Sequence, residues 1–221
     1  MQALAEEIAL TLTDAVKARG AASLVLSGGT TPGPLYDRLA DMAAPWDKVS
    51  LTLADERWVP PDSPQSNERL IRERLLRNRA AGAWFTALKS DTPGPEAAEA
   101  EVGAAVAALP RPFDLVLLGL GENGHTASLF PNSHGLAAAL DRSDPAMARA
   151  VRPVPPDAPD PPRLTLTLRA LLDARRIVLL FTGAAKWAVY EEALEPGEIA
   201  DLPLRALLNQ GRIKLEIWWA P

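Results

Sequence analysis

The feature that most constrains the fold of this chain is the alternation of short, continuous apolar runs with alanine-rich stretches of helical periodicity. Continuous apolar runs predict strands buried on both faces, and such strands belong to parallel sheets covered by helices. We therefore predict an α/β fold, with a doubly wound, mostly parallel sheet and helices on both faces, of the Rossmann-like kind. The predicted strands are residues 23–27, 49–54, 113–118, 177–182 and 213–219. The predicted helices are residues 2–19, 35–42, 96–109 and 184–194, with one more that begins at Ser66 or Asn67.

Length and composition predict a single domain over residues 1–221. With 221 residues, 48% of them apolar, the chain can bury one sizeable core. Six prolines crowd residues 153–162, and we interpret this stretch as a stiff surface connection rather than a domain boundary. A small appended subdomain near residues 125–160 stays open as an alternative.

Composition also excludes several chemistries. The chain has no cysteine, which rules out disulfides, thiolate metal ligands and cysteine nucleophiles. Its two histidines, His125 and His134, are too few for a typical zinc hydrolase, and we expect neither a metal nor a cofactor. The net charge of −5 argues against a nucleic-acid partner, because such binding depends on clustered lysine and arginine.

We expect a cytoplasmic protein that does not contact membranes. The first residues lack a basic region followed by an apolar stretch, so they do not resemble a signal peptide. No run of about 18 apolar residues occurs, so no membrane-spanning helix is predicted. The oligomeric state cannot be read from the sequence, and a monomer is the default expectation.

Unusual polar residues follow four of the predicted strands, those at residues 23–27, 49–54, 113–118 and 177–182. Ligands of doubly wound sheets bind at the carboxyl ends of the strands. The loops after these four strands are therefore expected to form one site.

The first two loops offer groups that suit an anion. Residues 27–30, Ser-Gly-Gly-Thr, combine hydroxyls with glycines that let a ligand approach the backbone, although the loop alone could equally be a plain tight turn. It lacks the Gly-Lys-Ser/Thr ending of a nucleotide P-loop. In the second loop, Arg57 can contact a phosphate with two nitrogens, and Asp55 is placed for sugar hydroxyls or proton transfer. Alone, these two residues would be interpreted as a surface ion pair. Trp58 is the one tryptophan expected near a substrate.

The third loop, residues 119–131, reads GLGENGHTASLFP and contains the pattern G-x-G-x-x-G. A dinucleotide site needs a long helix after the third glycine, but Pro131, Asn132 and Gly135 leave room for barely two helical turns. We therefore interpret the loop as one that presents His125 as a general base, in preference to a structural histidine. His134 is expected to be structural or exposed.

The fourth loop contains a cation in an unusual place. Lys186 falls in the first turn of the next predicted helix, where the helix dipole disfavours positive charge. Such a lysine either points to solvent or contacts an anion. Arg163, at the end of the proline-rich stretch, is a further cation without an obvious partner.

Together these segments resemble the 6-phosphogluconolactonase family, from Leu24 to the C-terminal residues 218–221. The segment GHTASLFP at 124–131 is the most specific part of the resemblance. The other segments are SGGTTP at 27–32, DERWVP at 55–60, SN at 66–67, RLTLTL at 163–168 and TGAAK at 182–186. The resemblance implies a fold shared with the glucosamine-6-phosphate deaminases. It also implies hydrolysis of 6-phospho-D-glucono-1,5-lactone to 6-phosphogluconate in the oxidative pentose phosphate pathway, with a phosphorylated sugar lactone as substrate and no cofactor.

The resemblance also implies residue roles. His125 matches the family's base, which activates water, and Asp55 matches an acid that positions the substrate. The implied phosphate and substrate ligands are Ser27, Gly28, Gly29, Thr30, Arg57, Asn67, Arg163 and Lys186. The family usually has Asp-Gly-His where this chain has Asn123-Gly124-His125. We therefore expect Asn123 to give the imidazole only a neutral hydrogen bond, which would make His125 a somewhat weaker base.

Two other functions stay as alternatives. Glucosamine-6-phosphate deaminases or isomerases resemble this chain, but they typically have a glutamate where it has Phe130 and a tyrosine where it has Arg57. Both differences favour the lactonase. A non-catalytic sugar-phosphate sensor on the same fold would usually carry a further DNA-binding or partner domain, for which we expect no room in this chain.

Overall fold

The computed structural model describes residues 1–153 and 160–221. Its strands are β1 (Ala22–Leu26), β2 (Val49–Leu53), β3 (Asp55–Arg57), β4 (Trp84–Thr86), β5 (Leu115–Gly119), β6 (Ala148–Val151), β7 (Arg163–Leu166), β8 (Arg176–Thr182) and β9 (Lys214–Ala220). Its helices are α1 (Gln2–Arg19), α2 (Gly33–Asp41), α3 (Asn67–Arg74), α4 (Pro95–Ala107), α5 (Leu136–Leu140), α6 (Leu168–Leu171), α7 (Ala184–Leu194) and α8 (Leu204–Leu208). Two short 3₁₀ helices span Trp46–Lys48 and Asn78–Gly82.

Six strands form a parallel sheet in the order β4-β2-β1-β5-β8-β9. The chain moves outward from β1 to one edge of the sheet, returns to β5 beside β1, and then moves outward to the other edge. Because parallel crossover connections are right-handed, this reversal places helices on both faces of the sheet. The predicted doubly wound α/β fold is confirmed.

The central strands of this sheet are almost entirely buried. Every residue of β1 is buried, as are four of the five residues of β5. A strand covered by helices on both faces has no solvent side, so it shows no polar alternation. The five predicted strands are all present, with bounds displaced by two residues at most. Helix α1 has the predicted bounds, and so does α7.

A second, smaller sheet departs from the sequence prediction. It is antiparallel, has the order β3-β7-β6, and pairs Asp55 with Thr165 and Arg57 with Arg163. We predicted that Asp55 and Arg57 lie in the loop that follows residues 49–54, and this is wrong because both belong to β3. A three-residue strand of charged residues has no periodicity to reveal it, and its partner is more than a hundred residues away. Strands β3 and β7 lie outside residues 125–160, so the small sheet is not confined to that region.

A buried carboxylate joins the small sheet to helix α3. Glu56 is fully buried, and burial raises its pKa. Its two oxygens accept four hydrogen bonds, which oppose that rise. The donors are the amides of Arg57, Asn67 and Glu68, at 2.7–2.8 Å, and the Ser66 hydroxyl at 3.0 Å. Two of these amides belong to the first turn of α3, where backbone N–H groups have no partner inside the helix. The N-cap is Ser66, one of the two residues at which we predicted the start of this helix.

Part of the proline-rich stretch lies outside the described residues. The predicted stiff connection covers residues 153–162, of which 154–159 are not described. Among the described residues, no helix is both long and apolar enough to cross a membrane.

Replacing Glu56 with glutamine should destabilise the fold. The glutamine amide nitrogen would face two hydrogen-bond donors in a fully buried site, so two acceptor contacts would be lost. We expect the free energy of unfolding in urea to fall by about 2–4 kcal/mol. Glu73→Gln in α3, where the side chain is largely exposed, is the matched control. Equal stability of the two variants would show that the Glu56 carboxylate does not hold α3 to β3.

Candidate active site

One cavity of about 200 Å³ opens at the carboxyl ends of β1, β5 and β8, where the strand order of the sheet reverses. Every predicted site residue lines it: Ser27, Gly28, Gly29, Thr30, Asp55, Arg57, Asn67, His125, Arg163 and Lys186. The structure therefore brings the four predicted loops together. Thr31, Pro32, Gly119, Leu120, Gly121, Ala127 and Leu180 complete the lining.

The glycine-rich loop after β1 is held from both sides. The Tyr36 hydroxyl, fully buried, donates a hydrogen bond to the Ser27 carbonyl. A Cβ on Gly28 would lie 1.9 Å from the Asn67 Oδ1 atom, so only glycine lets this loop approach the Asn67 amide. Asn67 in turn donates to the Asp55 carbonyl at 2.8 Å. These contacts join the first loop, β3 and the start of α3 into one wall of the cavity.

Three cations face the cavity: Arg57, Arg163 and Lys186. Arg57 and Arg163 are directly opposite each other across β3 and β7, a placement in which like charges destabilise a sheet. Arg57 Nη1 donates to the Asn67 Oδ1 atom at 3.0 Å. In the described part of the chain, no carboxylate lies within ion-pair distance of Arg57 or Lys186. The cavity thus carries positive charge that an anion would neutralise.

Arg163 is the most enclosed of these cations, with 6% of its surface exposed. Its Nη2 atom donates to both carboxylate oxygens of Asp160, at 2.8 and 2.7 Å, and its guanidinium lies 4.9 Å from the centre of the Phe130 ring. Its Nε atom has no hydrogen-bond partner among the residues that the structure describes.

The contacts that the protein makes to the Asp55 carboxylate involve its Oδ2 atom. Its Oδ2 atom accepts a hydrogen bond from the Ser128 hydroxyl and lies 3.9 Å from Arg163 Nη1. The Ser128 amide donates to the Thr165 hydroxyl at 3.3 Å. Ala127, beside Ser128, has a positive φ of 49°, a conformation that costs a non-glycine residue energy. These contacts attach the histidine loop to the small sheet.

The imidazole of His125 is oriented by Asn123. The Nδ1 atom lies 2.5 Å from the Asn123 Oδ1 atom, which accepts hydrogen bonds, so Nδ1 carries the hydrogen. The Nε2 atom then has a free lone pair. Gly121 makes room for the ring, since a Cβ there would lie 2.0 Å from His125 Cε1. Phe130 packs against the imidazole with its ring centre 4.3 Å away.

The site keeps His125 neutral. Burial, followed by the charges of Arg163, Lys186 and Arg57, lowers the pKa of this imidazole from 6.5 to about 4. The Asn123 amide supplies no charge that would stabilise the imidazolium. At neutral pH the ring is therefore a hydrogen-bond acceptor and a potential base through Nε2.

Sequence reasoning missed the residues that support these groups. Glu56, Gly121 and Ser128 lie inside the predicted segments, but their partners are distant in sequence or depend on the position of the imidazole. The G-x-G pattern was a signal for Gly121, and we interpreted it only as a loop. Trp58 does not line the cavity; it packs against the core with Lys89 Nζ 4.3 Å from its ring centre. His134 is exposed, as expected.

Fold and site together define an α/β protein with a cation-rich cavity beside a neutral imidazole at the switch point of its sheet. A family model described as glucosamine-6-phosphate isomerases/6-phosphogluconolactonase matches residues 1–218. The chain belongs to this family, which confirms the resemblance found in the sequence.

Individual relatives agree with this assignment. The chain is 47% identical over 211 residues to a 6-phosphogluconolactonase of Caulobacter vibrioides, covering 95% of this chain and 88% of the relative. It matches the crystal structure of a 6-phosphogluconolactonase from Shewanella baltica with a TM-score of 0.94 and 44% identity, covering 100% and 92% of the two chains. A monomeric glucosamine-6-phosphate deaminase matches with a TM-score of 0.76 at 20% identity, covering 99% and 93%, which shows the shared fold alone.

Replacing Asn123 with aspartate should raise the pKa of His125. A carboxylate at the Nδ1 position stabilises the imidazolium, so titration should move from about 4 toward the ordinary value of 6.5. NMR titration of the imidazole Cε1–H signals measures this directly, and His134 is an internal reference.

The control for this titration is Glu122→Gln, which changes an exposed neighbouring charge and should leave the pKa of His125 nearly unchanged. An unchanged titration in Asn123→Asp would show that the side chain at position 123 does not contact the imidazole in solution.

Proposed function

We propose that this chain hydrolyses 6-phospho-D-glucono-1,5-lactone to 6-phosphogluconate, the reaction of a 6-phosphogluconolactonase. One observation carries the proposal: a neutral imidazole and three cations line the same small cavity of a chain that belongs to this family. The names of the relatives support the same reaction.

The substrate phosphate is held by the cation-rich side of the cavity. Arg57 and Lys186 have no carboxylate partner among the described residues, so their charges are available to an anion. The loop at residues 27–30 adds backbone amides and hydroxyls close to the N-terminus of α2, a location that favours phosphate. Binding energy at the phosphate then positions the lactone ring near His125.

His125 acts as the general base. A water molecule attacks the lactone carbonyl carbon while Nε2 takes one of its protons. The tetrahedral intermediate collapses, the bond from the carbonyl carbon to the ring oxygen breaks, and the imidazolium returns the proton to that oxygen. One water is added and the ring opens to an acid and a hydroxyl. General-base catalysis of this kind contributes typically ~10²–10⁴-fold.

Asp55 and Arg163 have supporting roles in this proposal. Asp55 positions sugar hydroxyls through its Oδ1 atom, because its Oδ2 atom already accepts a hydrogen bond from Ser128. Arg163 lines the same cavity, and its guanidinium, although paired with Asp160, adds a third cation beside the bound anion.

The deaminase alternative is not favoured by the site. The position where those enzymes are expected to have a glutamate holds Phe130, which is buried against His125 and Arg163. A phenyl ring cannot transfer a proton to open a sugar ring. Release of ammonia from glucosamine 6-phosphate would contradict this assignment. Tight sugar-phosphate binding without turnover would instead favour the sensor alternative.

A cytoplasmic location, a monomeric state and a place in the oxidative pentose phosphate pathway stay predictions. They are based on the sequence and on the family, and no described contact tests them.

Replacing His125 with alanine should abolish most of the catalysis and leave product binding nearly intact. We expect kcat to fall by ~10²-fold or more, because only the base is removed. The assay couples freshly generated lactone to oxidation of 6-phosphogluconate, with the spontaneous rate subtracted. His134→Ala, which removes the exposed histidine, is the matched control and should keep wild-type activity. Equal loss of turnover and of 6-phosphogluconate affinity would show that His125 is structural.

Replacing Arg57 with alanine should act mainly on binding. Loss of a charge-assisted contact to phosphate should raise KM and the Kd of 6-phosphogluconate by roughly 10–100-fold. Arg69→Ala, at a partly exposed arginine of α3 outside the cavity, controls for the loss of one positive charge. Unchanged affinity in Arg57→Ala would remove this residue from the phosphate site.

A further inference from the structure

A second cavity lies at the opposite end of the central sheet. It is a groove of about 520 Å³ whose lining includes Arg111, Asp173 and Arg212. These residues precede β5, β8 and β9 respectively, so the groove is at the amino ends of the strands. The candidate active site lies at their carboxyl ends. The two cavities have no lining residue in common.

Four arginines line this groove: Arg111, Arg142, Arg169 and Arg212. Among the residues that the structure describes, its only acidic lining residue is Asp173, and that carboxylate is paired with Arg111 at 2.5 Å. Within residues 1–153 and 160–221, the other three arginines have no carboxylate at ion-pair distance. The described lining therefore has a net charge of +3, from four arginines and one aspartate.

One further acidic residue, Asp144, interacts electrostatically with Arg169 of the groove. Arg169 contributes to the lowered pKa of Asp144, but the Asp144 carboxylate accepts its hydrogen bonds from the Arg149 side chain and the Ala146 amide. Arg149 is not part of the groove. Asp144 therefore leaves the guanidinium groups of the groove free to bind a ligand.

Such a concentration of positive charge is unexpected in this chain, whose net charge is −5. Guanidinium groups close together repel one another, and an anion that bridges them removes this cost. The planar guanidinium forms paired hydrogen bonds with phosphate oxygens, so phosphoryl groups suit it well. Met147 and Leu172 add an apolar wall on which an uncharged part of a ligand can pack.

We propose that this groove is a second anion site that binds an organic polyphosphate, of the nucleoside di- or triphosphate class. The net positive charge of the groove matches the three or four negative charges of such a polyphosphate chain. Its volume exceeds that of the candidate active site, about 520 against about 200 Å³. The apolar wall accommodates a base or sugar. The proposal is independent of the reaction at the other end of the sheet.

Isothermal titration with ATP, in the absence of magnesium, tests this proposal on the full chain. Adenosine, inorganic phosphate and tripolyphosphate are the comparison probes. The groove variant is Arg142→Ser with Arg212→Ser, since both side chains are exposed and make no hydrogen bond within the described residues. The control is Arg79→Ser, another exposed arginine, which lies just before β4 at the far edge of the sheet. Arg57→Ala reports binding in the candidate active site.

We expect ATP to bind wild type, Arg79→Ser and Arg57→Ala with similar affinity. Affinity should fall roughly tenfold per arginine removed from the groove, and should weaken with added salt. Tripolyphosphate should bind more weakly than ATP, and adenosine and phosphate should not bind measurably. Lactone hydrolysis by the groove variant should equal that of wild type, which also shows that it folds.

Three results would overturn the proposal. Absence of ATP binding up to 1 mM, roughly a 4 kcal/mol interaction, would show that the groove does not bind nucleotides. Loss of ATP binding in Arg57→Ala alone would place the nucleotide in the active-site cavity. Equal affinity in the groove variant and in Arg79→Ser would show that net charge, and not the groove, attracts the anion.

Discussion

The parallel pairing of β1 with β5, and of β5 with β8, is the constraint on which the site depends. Its register places Val25 beside Val116 and Gly119 beside Leu180, so each strand ends within two residues of its neighbour at the same edge of the sheet. The loops that follow therefore meet there, although the first and the last of them are far apart in sequence. The small sheet adds the remaining groups from the side, since β3 and β7 direct Arg57 and Arg163 toward the same opening. The buried Glu56 carboxylate keeps that sheet attached to α3.

Much of this architecture could be predicted, for a physical reason. Strands such as β1 and β5 are buried on both faces, so their apolar runs reveal them without knowledge of their neighbours. The loops that follow them contain the reactive side chains, and the parallel topology then predicts that these converge. What the sequence could not reveal depends on non-local contacts. Strand β3 is three charged residues whose burial is compensated by partners on α3, and the roles of Gly121 and Ser128 exist only relative to His125 and Asp55.

The same cations serve two purposes in the cavity. In the proposed function they bind the substrate phosphate, and they lower the pKa of His125, so that the imidazole is neutral before a ligand arrives. A dianionic phosphate that neutralises Arg57 and Lys186 reduces their repulsion of the imidazolium. The base is then stronger with ligand bound than in the free protein. In this arrangement, anion binding raises the basicity of His125 through the electrostatic field of the cations. Asn123 is uncharged and contributes no charge to this coupling, which therefore depends on the cations.

The depressed pKa of His125 also affects folding itself. In the unfolded chain this imidazole titrates near 6.5, whereas in the folded chain it titrates at about 4. Between these two pH values the unfolded chain holds a proton that the folded chain has released. Mild acid therefore shifts the equilibrium toward the unfolded chain, and the shift ceases below about pH 4, where both forms are protonated. The neutral imidazole thus makes the folded protein sensitive to acid between these two pH values.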